Sequence, residues 1–208
     1  KELAGRPLIT WTIEAGLASK YIDQLIVTTD DEEIARIATE YNATVPFIRP
    51  KHLGSDSASS YETILHALDY YFDKGESFDY LLLLQPTSPL RTTQHIDEAF
   101  CLLDSKNADS IISVTESEHS PLWSNVLPED HNMEDFISDT CRQVTRRQDL
   151  PKYFRINGAI YIVNIKKMIN EKSLFLSTNI FAYIMDRYSS VDIDDLLDLK
   201  LAELIINE

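Results

Sequence analysis

The spacing of apolar positions changes several times along the chain, and at one stretch it stops alternating altogether. Between Phe78 and Arg91 four leucines, Leu81 to Leu84, follow one another without a polar break. Such a run fits a strand covered on both faces, as at the centre of a parallel sheet. Pro86 has no backbone donor and cannot continue a central ladder. The strand therefore delivers Gln85, Thr87, Ser88 and Arg91 to its carboxyl end, the edge where open α/β sheets bind ligands. A buried strand followed by an ordinary proline-rich turn fits the same residues.

The flanking pattern alternates helix and strand. Pro7 opens a helix carrying Leu8, Ile9, Trp11, Ile13 and Leu17. Ile22 to Thr28 reads as a strand rich in branched residues. Asp30 and Glu33 form a capping-box spacing before a helix with Ile34, Ile37, Ala38 and Tyr41 on one side. Thr44 to Ile48 is a short strand whose Pro46 sets it near a sheet edge. After the polar loop Arg49 to Ser60, a helix runs from Ser59 or Ser60 to Phe72, and Gly75 helps to end it. A helix over Gln94 to Leu103 and a strand over Asp109 to Val114 follow. This order predicts a doubly wound, Rossmann-like three-layer α/β sandwich with a mostly parallel central sheet and right-handed crossovers.

The rhythm fails between Thr115 and Tyr153, too long a span for a usual αβ connection. It reads as an inserted arm anchored by Trp123, Met133 and Phe136, packing on a partner subunit or folding back on its own. Strand character returns at Arg155 to Val163. Lys166 to Ile169 is at most a short helix, and Ile180 to Ser190 a strand or a short helix and a strand. Val191 to Asp194 leads into a last helix with Leu197, Leu201, Leu204 and Ile205 on one face.

Composition narrows the classes. The 208 residues suffice for one domain with a full core. A net charge of -15 argues against nonspecific nucleic-acid binding, though not against a nucleotide held in a local pocket. No apolar run is long enough to cross a membrane, and no secretory signal pattern opens the chain. Cys101 and Cys141 give neither a disulfide framework nor a metal spacing. A reducing, cytoplasmic setting is the expectation.

Two stretches stand out chemically. If Asp192, Ile193 and Asp194 are extended, both carboxylates lie on one side and Ile193 in the core. Close carboxylates repel unless a cation or proton lies between them, and oxygen ligands of this kind suit Mg²⁺ shared with substrate phosphate. Helix capping by Asp194 or Asp195 fits equally. Arg142, Arg146 and Arg147 form the densest basic group, able to grip a carboxylate or phosphate or to pair locally with Asp139 and Asp149. Gly158 allows close approach of a ligand or backbone and Asn157 offers donor and acceptor; a β-bulge explains the glycine as well. The cluster Ser55, Asp56, Ser57, Ser59, Ser60 could read a base or ribose, or form turns and caps. His119 could line a sugar site. No HExxH, GxSxG, CxxC or GxGxxG pattern is present.

In order along the chain, RPLITWTIEA (Arg6–Ala15), IVTTDDEEIA (Ile26–Ala35), RPKHLGSDSASS (Arg49–Ser60), LLLLQPTSPLR (Leu81–Arg91), RRQDLPKYFRINGAIYI (Arg146–Ile162) and VDIDDLLDLKLAE (Val191–Glu203) resemble the N-acylneuraminate cytidylyltransferases. The resemblance implies a Rossmann-like domain with an arm that makes a homodimer. It implies a nucleotide-binding core over 1–114, a dimerisation arm over 115–153, and a remainder over 154–208 carrying sugar and metal residues. The implied reaction joins CTP to a nine-carbon 2-keto sugar acid with Mg²⁺ or Mn²⁺ and releases pyrophosphate. Asp192 and Asp194 would hold the metal and activate or orient the attacking hydroxyl. Arg49, Ser57, Ser59 and Gln85 would contact the nucleotide; Gln85, Thr87, Ser88, Arg147 and Asn157 would contact the sugar.

Members of that family begin with a strand and a PARGGSK-type phosphate loop, and no match to either stands before Lys1; a chain without them is expected to have little transferase activity. Other readings stay open: the same transfer to legionaminic, pseudaminic or eight-carbon acids, a non-catalytic sugar- or nucleotide-binding dimer module, and a metal-dependent phosphatase.

Overall fold

The computed structural model describes residues 1–55, 58–137 and 150–207. The chain opens with a hairpin of two-residue strands, β1 (Glu2–Leu3) and β2 (Arg6–Pro7). Its turn residues Ala4 and Gly5 both have positive φ, 50° and 73°, as the tightest hairpin turn demands. Nothing in the residue pattern beyond Gly5 signals this hairpin. Helix α1 (Leu8–Leu17) follows directly.

Helix α2 (Glu32–Glu40) is capped by Asp31, whose carboxylate accepts from the Glu33 and Ile34 amides. The expected cap, Asp30, instead pairs with Arg49. The two strands expected at 22–28 and 44–48 are extended segments joined in parallel at Ile26–Thr44 and Thr29–Ile48. Pro46 cannot donate between those bridges, which limits the pairing. Helix α3 (Ser60–Phe72) has the Ser59–Glu62 capping box.

The main sheet contains β3 (Tyr80–Leu83), β4 (Ser110–Glu116), β5 (Phe154–Asn164) and β6 (Ile180–Ile184), in the order β3-β5-β4-β6. Within this sheet, among the described residues, only β4 and β6 pair in parallel; β5 is antiparallel to both β3 and β4. The expectation of a mostly parallel sheet was therefore wrong. The segment after β4 leaves at Glu116 and returns at Phe154, which are paired residues, and the Ser117 amide donates to the Tyr153 carbonyl at 2.8 Å. A connection that returns to the end it left forces an antiparallel neighbour, whereas a parallel one needs a crossover. β3, β4 and β6 share one direction. A single reversed strand between β3 and β4 makes two of the three pairings antiparallel.

The leucine run reflects double coverage, not strand direction. Leu82 and Leu84 pack with Ile160, Ile162, Ile96 and Ala99, on the side of α4 (Thr93–Lys106). Leu81 and Leu83 pack with Ile64, Leu68 and Met168, on the side of α3 and α5 (Ile165–Glu171). Alternate residues serve opposite cores, and both cores are apolar. The last helix, α6 (Leu196–Ile206), joins a third cluster through Leu199, Ala202, Ile205 and Ile206, against Leu3, Val191 and Ile193. Of the four residues expected on its packed face only Ile205 packs there; Leu197, Leu201 and Leu204 are exposed.

Candidate active site

The turn after β3 is held from inside. The Arg91 side chain is 2% exposed. Its Nη1 donates to the carbonyls of Gln85 (3.4 Å), Ser88 (3.3 Å) and Ala159 (3.2 Å), and its Nη2 to Thr12 Oγ1 at 2.7 Å. One guanidinium thus ties the strand end to β5 and α1. No carboxylate pairs with it among the described residues, and burial pulls its pKa down to about 10. Ser88 is fully buried, and its hydroxyl donates to the Asn157 carbonyl at 3.4 Å.

Asn157 and Gly158 lie opposite this turn, on β5. The Asn157 side chain is committed to the interior. Its Oδ1 accepts from the Ser113 hydroxyl (2.5 Å) and the Ala159 amide (3.3 Å), and its Nδ2 donates to Ser190 Oγ (2.9 Å) and Met185 Sδ (3.3 Å). This amide braces the segment leading to Val191 instead of facing a cleft. Gly158 has φ +76°; a Cβ there would overlap the Gln85 side-chain oxygen and lie 3.3 Å from Asp192 Oδ2 and 3.5 Å from Ser88 Oγ. Gln85, Ser88 and Asp192 therefore converge on the face that this glycine leaves bare.

Asp192 reaches that point through its neighbours. The Ile193 amide donates to the Thr87 carbonyl at 2.8 Å, and Val191 and Ile193 are buried. Thr87 contributes this carbonyl to the junction. With Ile193 turned inward, Asp192 and Asp194 line one cleft of about 540 Å³, together with Asp198, Glu118, Arg155 and Arg187. The Asp192 Oδ1 is buried with no hydrogen-bond partner. The charge of Asp192 also helps burial to raise the Tyr161 phenol pKa, burial being the larger cause. The cap of α6 is Asp195, which accepts from the Leu197 and Asp198 amides at 2.7 and 3.2 Å. Capping therefore does not account for Asp192 or Asp194. Asp198 accepts from the Asp194 and Asp195 amides, both at 3.1 Å.

A second group surrounds the loop before α3. Arg49 pairs with Asp30 at 2.9 Å and keeps a buried Nε without a partner. The hydrogen bond from Arg49 lowers the Asp30 pKa. Gly54 brings its backbone against the same carboxylate, since a Cβ there would lie 2.6 Å from both oxygens. Ser59 is spent as the cap of α3, accepting from the Glu62 amide at 3.1 Å. Among the described residues no hydrogen bond or ion pair joins this group to the Gln85–Asp192 cluster. Ser57, Arg142, Arg146 and Arg147 lie outside the described residues.

Sequence reading gave no role to Glu118, Arg155 or Arg187. Arg155 donates to Glu118 at 3.3 and 3.2 Å, and Arg187 Nε lies 3.7 Å from the same carboxylate. The Arg155 hydrogen bond lowers the Glu118 pKa. Partly exposed pairs of this kind contribute about 0–1 kcal/mol. Spacing did not single them out: Arg155 stands two residues before Asn157 on β5, yet it lines the cleft while the Asn157 side chain is turned inward.

An α/β sheet covered on both faces, with two carboxylates brought to the tip of strand β3, fits the class of nucleotidyltransferase domains. The cytidylyltransferase family model matches residues 1–189. The chain is 40% identical over 201 residues to the N-acylneuraminate cytidylyltransferase of Escherichia coli, covering 96% of this chain and 46% of that protein. It is 31% identical over 210 residues to the CMP-N,N'-diacetyllegionaminic acid synthase of Legionella pneumophila, covering 98% of this chain and 87% of that protein. The chain thus spans about half the length of the first relative and most of the second. A solved structure of CMP:2-keto-3-deoxy-manno-octonic acid synthetase complexed with CTP aligns over 100% of this chain and 90% of that one, with a TM-score of 0.68 and 13% identity, a likeness of fold. The chain belongs to the cytidylyltransferase family that acts on nine-carbon 2-keto sugar acids, the N-acylneuraminate and legionaminic acid enzymes among them.

Proposed function

We propose that the protein transfers CMP from CTP to the anomeric hydroxyl of N-acetylneuraminic acid, or of a related nine-carbon 2-keto sugar acid, and releases pyrophosphate. Family membership supports the class of reaction. The observation that carries the site is the Asp192 carboxylate: its Oδ2 stands with Gln85 and Ser88 around Gly158, and its buried Oδ1 has no hydrogen-bond partner.

Both substrates are anionic, so the site has to offset their repulsion. Among the described residues no group of three or more His, Cys, Asp or Glu is arranged for a metal. Two carboxylates suffice for Mg²⁺ when substrate phosphate and water complete the shell. The orphaned oxygen of Asp192 and the neighbouring Asp194 suit that ion or Mn²⁺. A bound divalent ion there supplies charge neutralisation at the phosphates. The anomeric oxygen forms a bond to the α-phosphorus, the bond to the bridging oxygen breaks, and pyrophosphate leaves with the electron pair. Asp192, whose Oδ1 has no hydrogen-bond partner, would take either the cation or the hydroxyl proton. Gln85 orients the acceptor or nucleotide at the strand tip. Arg49 and Ser59 frame the nucleotide side, where the buried Arg49 Nε is a donor in waiting. Thr87 and Ser88 fix the floor on which the acceptor rests.

The same reading includes a homodimer formed through segment 115–153, where Trp123, Val126, Leu127 and Met133 are exposed, and a cytoplasmic setting. No helix among the described residues is long and apolar enough to cross a membrane. The test is metal-dependent CMP-sugar formation across a panel of 2-keto sugar acids, with Asp192→Asn and Asp194→Asn beside the wild type. Each variant is expected to lose about 100-fold or more in rate, the scale of removing one charge-stabilising group. Near-normal rates in both would reject the roles given to the pair.

A further inference from the structure

The first turn of α4 is closed by a titratable cap. The Thr92 hydroxyl accepts from the His95 amide at 3.4 Å, and the His95 ring returns the bond, its Nδ1 accepting from the Thr92 amide at 3.1 Å. That return position ordinarily holds Glu or Gln. A histidine caps there only while neutral, because a protonated Nδ1 is itself a donor and would face the Thr92 N–H. The half-buried ring stands against Tyr183 of β6, with centroids 6.5 Å apart. Two carboxylates face it: Glu98 on its own helix, which accepts from Gln94 and Tyr183, and Asp186 just past β6. Arg91 faces it with the opposite charge. Resting on the reaction proposed above, we infer that His95 is a proton-sensitive positioning residue: neutral, it caps α4 behind Arg91; protonated, it leaves Thr92 for Asp186 and loosens the segments that carry Gln85 and Asp192. Two routes join it to the site. Thr92 directly follows Arg91, whose guanidinium holds the carbonyls of Gln85 and Ser88. Asp186 anchors the approach to Asp192: its carboxylate accepts from the Ser189 amide and hydroxyl at 2.9 and 2.7 Å, and its carbonyl from Ser190 Oγ, which accepts from Asn157. A cation drawn to that carboxylate competes with Ser189, just ahead of Val191. Burial is the largest influence on His95 and lowers its pKa, against the charges of Asp186 and Glu98. An unfolded ring takes its proton near pH 6.5, to about half a unit, and the folded ring at lower pH. The contribution of the cap is therefore complete above about pH 6.5 and is lost as pH falls toward the folded value.

The experiment is an NMR titration of the protein between about pH 5 and 8, the window in which histidine titrates. It is run beside pH profiles of kcat/KM in CMP-sugar formation, for wild type, His95→Gln and His95→Ala. In wild type the Thr92 and Ile193 amide signals are expected to shift with the midpoint of the His95 ring. Across that midpoint kcat/KM is expected to fall about fivefold, the equivalent of one helix cap. His95→Gln restores the usual return bond and cannot titrate, so it is expected to stay within about twofold of wild type at the alkaline end and to flatten the acid limb. His95→Ala lacks the bond at every pH and is expected to sit about fivefold low throughout. An acid limb unchanged in His95→Gln overturns the inference. So do Gln and Ala variants equally impaired at every pH, the result a merely structural histidine predicts. CMP-sugar formed by a protein whose Thr92 and Ile193 signals ignore the ring rejects the brace while leaving the reaction intact. Signals coupled as expected with no CMP-sugar formed at any pH reject the reaction while leaving the brace.

Discussion

Arg91 gives the sharpest test of what holds the site together. Replacing it with Met removes a buried charge and four hydrogen bonds, and the two losses act in opposite directions. Burial lowers the pKa from 12.5 to about 10, so keeping the charge at neutral pH costs about 3 kcal/mol. Against this stand contacts to three carbonyls and to Thr12. Three are long, so each bond is set near the lower bound for a charged donor, about 1.5 kcal/mol. Together they offer about 6 kcal/mol, twice the desolvation cost. Arg91→Met is therefore expected to destabilise the fold by about 3 kcal/mol, within the range seen when buried networks lose one member. Urea denaturation reads this as a lower midpoint at an unchanged slope. Arg91→Lys keeps the charge but not the fork, and is expected to recover only part of the loss. A Met variant as stable as wild type, or more stable, would show that desolvation dominates and that the turn after β3 needs no clamp.

Gly158→Ala forces a side chain into positive φ, a cost of about 1–2 kcal/mol, and pushes the Gln85 amide aside. A lower melting temperature and a fall of about tenfold in kcat/KM are expected, the latter worth about 1.4 kcal/mol; wild-type values of both would refute the close approach. Asn157→Ala strips partners from Ser113, Ala159 and Ser190 and should cost about 2–3 kcal/mol of stability, with kcat falling more than the sugar KM rises. A higher sugar KM at wild-type stability would instead make Asn157 a direct sugar contact. Asp109 has its pKa lowered by Lys167 and then Asn179. Its contribution is present above the unfolded carboxylate pKa and is lost as pH falls through the lower folded value. Asp109→Asn should therefore flatten the acid limb of the stability–pH curve below about pH 4, and an unchanged limb counts against the pairing.

The α/β layering was legible because it depends on side-chain periodicity, and periodicity survives any tertiary context. The helices around Leu68, Ile96 and Ala202 lie where the pattern put them. Strand direction was not legible. Leu81 to Leu84 report coverage on both faces, and an antiparallel neighbour covered by helices reads the same. The exposed Leu197, Leu201 and Leu204 show a related limit: apolar spacing marks a face suited to burial, not what covers it. The choice between Asp30 and Asp31 as cap rested on a one-residue shift, and long-range pairing of Asp30 with Arg49 decided it.

The position of Asp192 and Asp194 was legible for a different reason: the residue that places them is the apolar one between them. Burying Ile193 contributes about 1.5–3 kcal/mol, and buried Val191 adds to it. That burial sets the two flanking carboxylates on the cleft together, where their mutual repulsion is what a bound cation would relieve. The main-chain bond from Ile193 to Thr87 then fixes where along the cleft they stand. Asn157 could not be read this way. An isolated asparagine on a strand is chemically suited to a ligand or to the core, and only the positions of Ser113, Met185 and Ser190, each distant in sequence, show that its amide is already occupied. The two cleft carboxylates are thus placed by apolar burial and a backbone bond, while the polar residues that look most like ligands, Asn157 and Arg91, hold the frame around them.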